Sequence, residues 1–378
     1  MPKPSAQVTE KDLRHWKLLE HFRRALLPRL AAAPPGRAPE GRRQLTEEAY
    51  FSLFLFRLFN PVLTSMRGLC AASRFEKMRE VCPQPVAPAS FSEAQHVFSP
   101  EILAQVVRDL AAQAKGLGQF GDAQVCQAVE ALTIVDGTLL RAVPRMAWAP
   151  QDGKRSAVRL NLHFSAFEQV PTQWTITPGK ASEFRQWKKT VTRGAFYVVD
   201  RLYSQDLLYL KQLQKEGTDF VVRLRDNHVR TPQGQPRPLT AADAQSGVVG
   251  DRLEELGGAG GGPVLRVVQI EAAGKTFLLA TTRLDLPAHL IGLIYRYRWQ
   301  IELFFKWIKT MLPCRHWLAE SPEGVSIQIY SVLIAALLLL LATGHRPTKR
   351  EMEALQFYWL GFISEEELIA ALSTQKKN

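Results

Sequence analysis

The sequence predicts an α/β protein in which an all-helical N-terminal region precedes a mixed sheet with flanking helices, the sheet region being interrupted by a small β-rich insertion. Three observations carry this. Helix caps and 3.6-residue periodicity run from Thr46 to about Ala114. The period then changes to short apolar runs that end in carboxylates or turns. Between Val229 and about Ala288, Pro- and Gly-rich stretches alternate with a second set of strand patterns. A chain of 378 residues with 46% hydrophobic and 22% charged residues is long enough for two or three domains and buries a substantial core. Disorder throughout is excluded.

Residues 10–33 read as an amphipathic helix rich in Arg and Lys, and APPGRAPEGRR (33–43) reads as a flexible basic linker. Residues 1–44 hold ten Lys or Arg and four Asp or Glu, giving +6. Residues 1–45 therefore form a basic arm and linker, suited to DNA or simply a solvated helix. In residues 46–125, Thr46 is an expected N-cap, Ser90 and Glu93 a capping box, and Ser99-Pro100-Glu101 the start of another helix. Several short helices in a row fit a helix-turn-helix DNA reader or a plain bundle. The stretch KGLGQFGD closes this region at Asp122.

ALTIVDGTLLRAV (131–143) is a short apolar run that puts Asp136 near the end of a strand, with Gly137 where the backbone needs room. SAVRLNLHFSAF and VPTQWTITP follow as a hairpin turning near Glu168 and Gln169. A short helix from Ser182 to Thr190 leads to AFYVVD, a strand ending in Asp200. Ser204 is the expected cap of a helix that runs to Glu216 and stops at Gly217, and DFVVRLRDN makes a fifth strand. Three strands, helix, strand, helix, strand is the layout of a ribonuclease H-like domain, assigned to residues 126–345. In that layout the first and fourth strands lie side by side and a later helix crosses them. The insertion (229–288) carries GGAGGG at 257–262 and the strands VLRVVQI and TFLLATT. Residues 346–378 form a helical tail.

The run YRYRWQIELFFKWIK (295–309) is the most informative segment. On one helix, Tyr295, Arg298, Glu302 and Lys309 fall within an arc of roughly 60° at about 100° per residue, and Lys306 joins them. A phenol, a guanidinium, a carboxylate and ammonium groups on one face suit a metal ion and a phosphodiester. A solvated, salt-bridged face is the plainer explanation for such a pattern taken alone. In the expected layout the strand ends bearing Asp136 and Asp200 are neighbours within reach of Glu302. Three gathered carboxylates repel unless cations compensate, and oxygen ligands favour magnesium or manganese over zinc. Two such ions can activate a water or a 3′-hydroxyl and stabilise the leaving oxygen.

Tyr295-x2-Arg298-x3-Glu302-x6-Lys309 resembles the signature of the DDE transposases of bacterial insertion-sequence family four. VDGT (135–138) and VVDRLY (198–203) are similar to that family's other two acidic blocks. The resemblance covers roughly residues 130–345. It implies Asp136, Asp200 and Glu302 as a catalytic triad that ligates two magnesium or manganese ions. It also implies that Tyr295, Arg298, Lys309 and Tyr203 contact DNA phosphates. Lys306 and Trp299 would add a charge and a stacking surface, although Trp299 and Trp307 read more readily as core. The implied activity is binding of terminal inverted repeats, cleavage at the element ends and transfer of 3′-hydroxyl ends to target DNA, in at least a dimer. A DNA-binding repressor without chemistry, or a nuclease without strand transfer, is the alternative. Two departures stand out. Leu202 occupies a position where most relatives have Gly, and the insertion lacks the Trp onto which some members flip a base, Phe277 being its only aromatic. The hairpin and direct-transfer routes both stay open.

The remaining features agree with an intracellular DNA-acting protein. The formal charge is +12, from 48 Lys or Arg against 36 Asp or Glu, which favours a polyanionic partner. Cys70, Cys82, Cys126 and Cys314 lack metal-type spacing and suggest a reducing compartment. No signal peptide opens the chain, so a cytoplasmic, nucleoid-associated bacterial location is expected. The apolar run Ser331–Thr343 is shorter than the roughly 20 residues a bilayer requires and reads as a buried core helix. In the tail, EALQFYWLGFISEEELIAAL has the pattern of a helix pair that either oligomerises or folds back on its own domain.

Overall fold

The computed structural model describes residues 17–33, 45–117, 120–153, 155–258, 261–312 and 317–373. Most of the basic linker and the first part of the arm lie outside these residues. The helix α1 (Lys17–Ala32) is described, and it is not a free arm. Leu19, Phe22 and Leu26 are buried, and Arg29 forms a two-pronged ion pair with Asp109 at 2.7 and 2.5 Å.

Among the described residues, five further α-helices precede the first strand: α2 (Glu47–Phe59), α3 (Met66–Ala72), α4 (Pro88–Ala94), α5 (Pro100–Ala114) and α6 (Ala123–Ala128). The Thr46 hydroxyl accepts the Ala49 N–H at 3.2 Å, as expected of an N-cap, and every residue from Ala49 to Phe59 is buried. Tyr50 anchors an aromatic cluster, its ring centroid 4.9 Å from Phe91 and 5.4 Å from Phe98. The expected Ser90–Glu93 capping box does not form. Pro88 occupies the first turn of α4 and Ala87 is its N-cap, so Ser90 lies inside the helix.

Among the described residues, nine strands follow in one sheet: β1 (Thr133–Arg141), β2 (Ala157–Ser165), β3 (Val170–Pro178), β4 (Phe196–Val199), β5 (Asp219–Arg223), β6 (Arg230–Gln233), β7 (Val248–Leu256), β8 (Val264–Ala272) and β9 (Lys275–Thr281). Their order is β3-β2-β1-β4-β5-β9-β8-β7-β6. β1 pairs antiparallel with β2 and parallel with β4, in the register Ile134 to Val198, and β4 pairs parallel with β5. The β2–β3 turn falls at Gln169, whose φ is 57°. β2 pairs with β1 as far as Arg141, so the strand extends five residues past Asp136. Asp136 is therefore mid-strand and not near its end.

The two faces of the sheet are covered by different helices. On one face Val135, Tyr197, Val199 and Val222 pack under Trp187 of α7 (Glu183–Thr190) and Leu210 and Leu213 of α8 (Leu207–Lys215). Asp206, not Ser204, caps α8: its carboxylate accepts the Tyr209 N–H at 3.0 Å, while Ser204 sits in a 3-10 turn at Tyr203–Gln205. Gly217 ends this segment at φ 70°, a conformation that favours glycine.

On the other face Ile134, Leu162, Phe164 and Val198 meet Ile301, Phe304 and Ile308. Those residues belong to α11 (Arg298–Met311), which follows α9 (Ala241–Gln245) and α10 (Ala288–Arg296). The expected single helix through 295–309 is broken at Tyr297. The Tyr297 ring is buried against Phe167, its hydroxyl accepts the Asp122 N–H at 2.5 Å, and its own N–H turns to Ile294 in a tighter turn.

The helix α12 (Pro322–Thr343) has 22 residues and a mean hydropathy of 2.4 over its most apolar window, so length and composition alone would let it cross a bilayer. It lies instead in the core, 83% of that window buried, packed against α5 and α2. The tail forms the pair α13 (Lys349–Trp359) and α14 (Glu365–Ser373), packed on each other.

Strands β6–β9 continue the sheet beyond β5, and a buried ion pair ties them to the approach to α10. Arg266 is 1% exposed. Its guanidinium donates to both Asp251 carboxylate oxygens, at 2.9 and 2.7 Å, and to the carbonyls of Arg283 and Leu286, at 3.0 and 2.5 Å.

Candidate active site

Side chains alternate across a strand, so the Ile134–Val198 register determines where the acidic residues go. Asp136 and Asp200 each follow that pair by two residues, which sets them side by side on the face covered by α11. The Asp136 carboxylate accepts the N–H of Gly137 at 2.8 Å, and the Asp200 carboxylate accepts that of Leu202 at 2.6 Å. Leu202 has φ −61° and ψ −38°, a right-handed conformation open to any residue, so the turn after Asp200 needs no glycine.

α11 supplies Arg298 and Glu302 one turn apart, joined by an ion pair. Arg298 also lies 5.8 Å from the ring centroid of Tyr295, which sits in the last turn of α10. Burial lowers the Arg298 pKa, but the hydrogen bond it donates to Glu302 and the charges of Tyr295, Glu302 and Asp136 outweigh it, leaving a net rise. Burial likewise raises the Tyr295 phenol, opposed by Arg298 and reinforced by Asp200. Tyr295, Arg298, Asp136 and Asp200 are thus brought into one neighbourhood. Trp299, expected mainly as core, is 56% exposed, whereas Trp307 is buried. Lys306 and Lys309 are exposed further along α11.

Tyr203 is not on this face. It is wholly buried on the opposite side of the sheet, its ring 5.0 Å from that of Trp187 and its hydroxyl donating to Glu183 at 2.7 Å. A phosphate-binding role for it has no support in this placement. Its position on the far side follows from the tight turn after Asp200.

Sequence reading missed several neighbours. A cavity of about 360 Å³ opens beside Asp200, lined also by Arg201, Arg223, Lys275, Phe277, Tyr295 and Arg298. The Arg223 guanidinium covers the Phe277 ring at 4.7 Å. Four cations against one carboxylate make this an anion-attracting hollow; of the four, Arg298 was a candidate in the sequence, while Arg201, Arg223 and Lys275 were not.

Burial, then the charge of Glu183 and also that of Asp200, push the Asp136 carboxyl up to about 8, against the partial relief given by the Gly137 N–H and by Arg298. Burial and two neighbouring carboxylates thus disfavour the charged form of Asp136, a penalty that a divalent cation held by Asp136 and Asp200 would relieve. Among the described residues no three His, Cys, Asp or Glu side chains already converge as a metal cage. Glu302 accepts Arg298 through one oxygen, which leaves the other available to such a cation.

A pH dependence follows. The unfolded chain ionises Asp136 near the ordinary value of 3.8, whereas the folded chain holds its proton up to about 8. Folding stability in a chelator should therefore fall as pH rises between those values and level off above. Melting temperatures from pH 5 to 8 should decline in the wild-type chain and decline less in Asp136→Asn.

Residues 127–338, more than half of the chain, match the family described as the transposase DDE domain. The chain belongs to this family. A Sinorhizobium fredii protein named as the transposase y4zB is 26% identical over 216 residues, covering 56% of this chain and 60% of that one. A Geobacillus stearothermophilus protein named as a transposase for insertion sequence element IS5377 is 26% identical over 212 residues, covering 55% of each. The Escherichia coli transposase InsL of element IS186A is 38% identical over 79 residues, 21% of each chain. The chain thus spans little more than half the length of the first two relatives. For a transposase DDE domain, the acidic pair on β1 and after β4 is the natural centre of attention.

Proposed function

We propose that this protein is a DNA transposase of bacterial insertion-sequence family four, which binds terminal inverted repeats, cleaves phosphodiester bonds at the element ends and transfers the 3′-hydroxyls to target DNA. One observation carries the reading: Asp136 on β1 and Asp200 just after the parallel neighbour β4 are near each other, under the helix that bears Arg298 and Glu302. Bound magnesium or manganese, as one or two ions, would supply Lewis-acid activation of the attacking oxygen and charge neutralisation at the leaving oxygen.

The chain's own groups account for the rest. Asp136, Asp200 and Glu302 are the metal ligands in this reading. Tyr295 and Arg298 face the acidic pair from the helix side and orient a phosphate, Arg298 by two parallel hydrogen bonds. When Arg298 moves to a phosphate it frees the Glu302 oxygen it holds, so DNA binding and the acidic set are linked. Lys306, Lys309 and the exposed Trp299 extend a DNA-contacting surface along α11, and the cationic hollow beside Asp200 continues it. Residues 1–45 and 46–125 act as the DNA-binding region, 126–345 as the catalytic domain with 229–288 inserted, and 346–378 as a tail that supports a synaptic homodimer. The protein works on DNA in the bacterial cytoplasm, at the nucleoid.

Glu302→Gln is the test. Cleavage of a duplex carrying the element's end should fall by about 10²-fold or more, while binding of that duplex changes little. Unchanged cleavage would remove Glu302 from the catalytic set. A target-joining assay with precleaved ends separates transposition from plain nuclease action.

A further inference from the structure

Glu183 is the first residue of α7, capped by Ser182, and in sequence it looks like any acidic residue in a helix's first turn. Its surroundings are unusual. The side chain is only 10% exposed, Arg159 Nη1 donates to one carboxylate oxygen at 2.9 Å, and the Tyr203 hydroxyl donates to the other at 2.7 Å. Arg159 is itself held by the Gly179 carbonyl at 3.1 Å. The carboxylate lies directly over Gly137: a Cβ built on that glycine would stand 2.7 Å from Glu183 Cδ and Oε2 and 2.9 Å from Asn161 Oδ1.

Each contact leads to one of the two acidic residues. Gly137 follows Asp136 and gives Asp136 its N–H hydrogen bond. Tyr203 closes the turn after Asp200, its N–H donating to the Asp200 carbonyl at 3.1 Å. Glu183 therefore touches, from the α7 face of the sheet, the backbone beside Asp136 and the turn that carries Asp200. The absence of a side chain at Gly137 is what lets it come so near.

We infer that Glu183, gripped by Arg159 and Tyr203, is a positioning residue that fixes the spacing of Asp136 and Asp200 from behind the sheet. The inference rests on reading those two residues as the cation-binding pair. Outer partners that orient ligands typically change metal affinity by about 10–100-fold when removed. Tyr203→Phe is the deciding variant: it keeps the Glu183 charge and the buried ring and deletes only the hydroxyl that holds the carboxylate. Glu183→Gln removes the charge while preserving shape.

The experiment is a titration of the DNA-free full chain with Mn²⁺, followed by electron paramagnetic resonance, beside the Mg²⁺ midpoint of end cleavage, end-duplex affinity and melting temperature. Tyr203→Phe and Glu183→Gln should each weaken Mn²⁺ binding by about 10-fold or more and raise the Mg²⁺ midpoint, with end-duplex affinity held within about twofold. A folded Tyr203→Phe with wild-type Mn²⁺ affinity and Mg²⁺ midpoint overturns the inference and leaves the reading of Asp136 and Asp200 intact. A wild-type chain that binds no Mn²⁺ and cleaves no end duplex overturns both.

Discussion

Asp136→Asn and Asp200→Asn should each cut metal-dependent nicking of an end duplex by about 10²–10³-fold, because each removes a carboxylate that would hold the divalent cation at the reacting phosphate. The two variants should differ in stability. Asp136 is half-buried beside the charges of Glu183 and Asp200, so a neutral amide there relieves repulsion, and the chelated Asp136→Asn chain should melt at or above the wild-type temperature near pH 8. Asp200 sits in a turn in which its carboxylate accepts the Leu202 N–H, so its replacement carries no comparable gain. Single-turnover nicking rates paired with melting curves check both halves of this expectation. A variant that lost activity only by unfolding would show its loss in the melting curve.

Asp251→Ala should destabilise the fold by about 3–5 kcal/mol, the cost of leaving a buried guanidinium unpaired. Arg266 has nowhere else to send two of its donors: it is 1% exposed and its remaining bonds already go to the Arg283 and Leu286 carbonyls. Arg237 approaches the same carboxylate at 3.6 Å and loses its partner too. Urea unfolding measures the loss. Replacing Asp251 and Arg266 together by Leu and Met should recover much of it, since matched apolar groups avoid the desolvation cost. Because Arg266 also holds the loop that leads into α10, the single variant should loosen Tyr295 and Arg298 at the site.

The parts of this site legible in sequence were those set by local pattern. Strand periodicity put Asp136 on a strand and Asp200 at the end of one, the order of elements put the first and fourth strands together, and helical spacing grouped Arg298 and Glu302. The rest depended on through-space contacts. Glu183 reaches the acidic strand only because Gly137 has no Cβ, and no spacing rule links residue 183 to residue 137. Tyr203 lies in the same short block as Asp200, yet the tight turn sends its ring to the other face. The break at Tyr297 comes from a tertiary hydrogen bond to Asp122, 175 residues earlier. The apolar run starting at Ser331 stops short of the first nine residues of α12, which carry Glu323, Ser326 and Gln328; Gln328 is nonetheless buried and hydrogen-bonds to backbone carbonyls.

The most direct test of the central claim is single-turnover cleavage of a labelled duplex bearing the element's own end, by the full chain, in magnesium, in manganese and in EDTA. Asp136 and Asp200 acting as cation-binding catalytic residues predict nicking at the end with either metal and none in EDTA. Nicking that persists in EDTA, or specific end binding without cleavage under either metal, would contradict it.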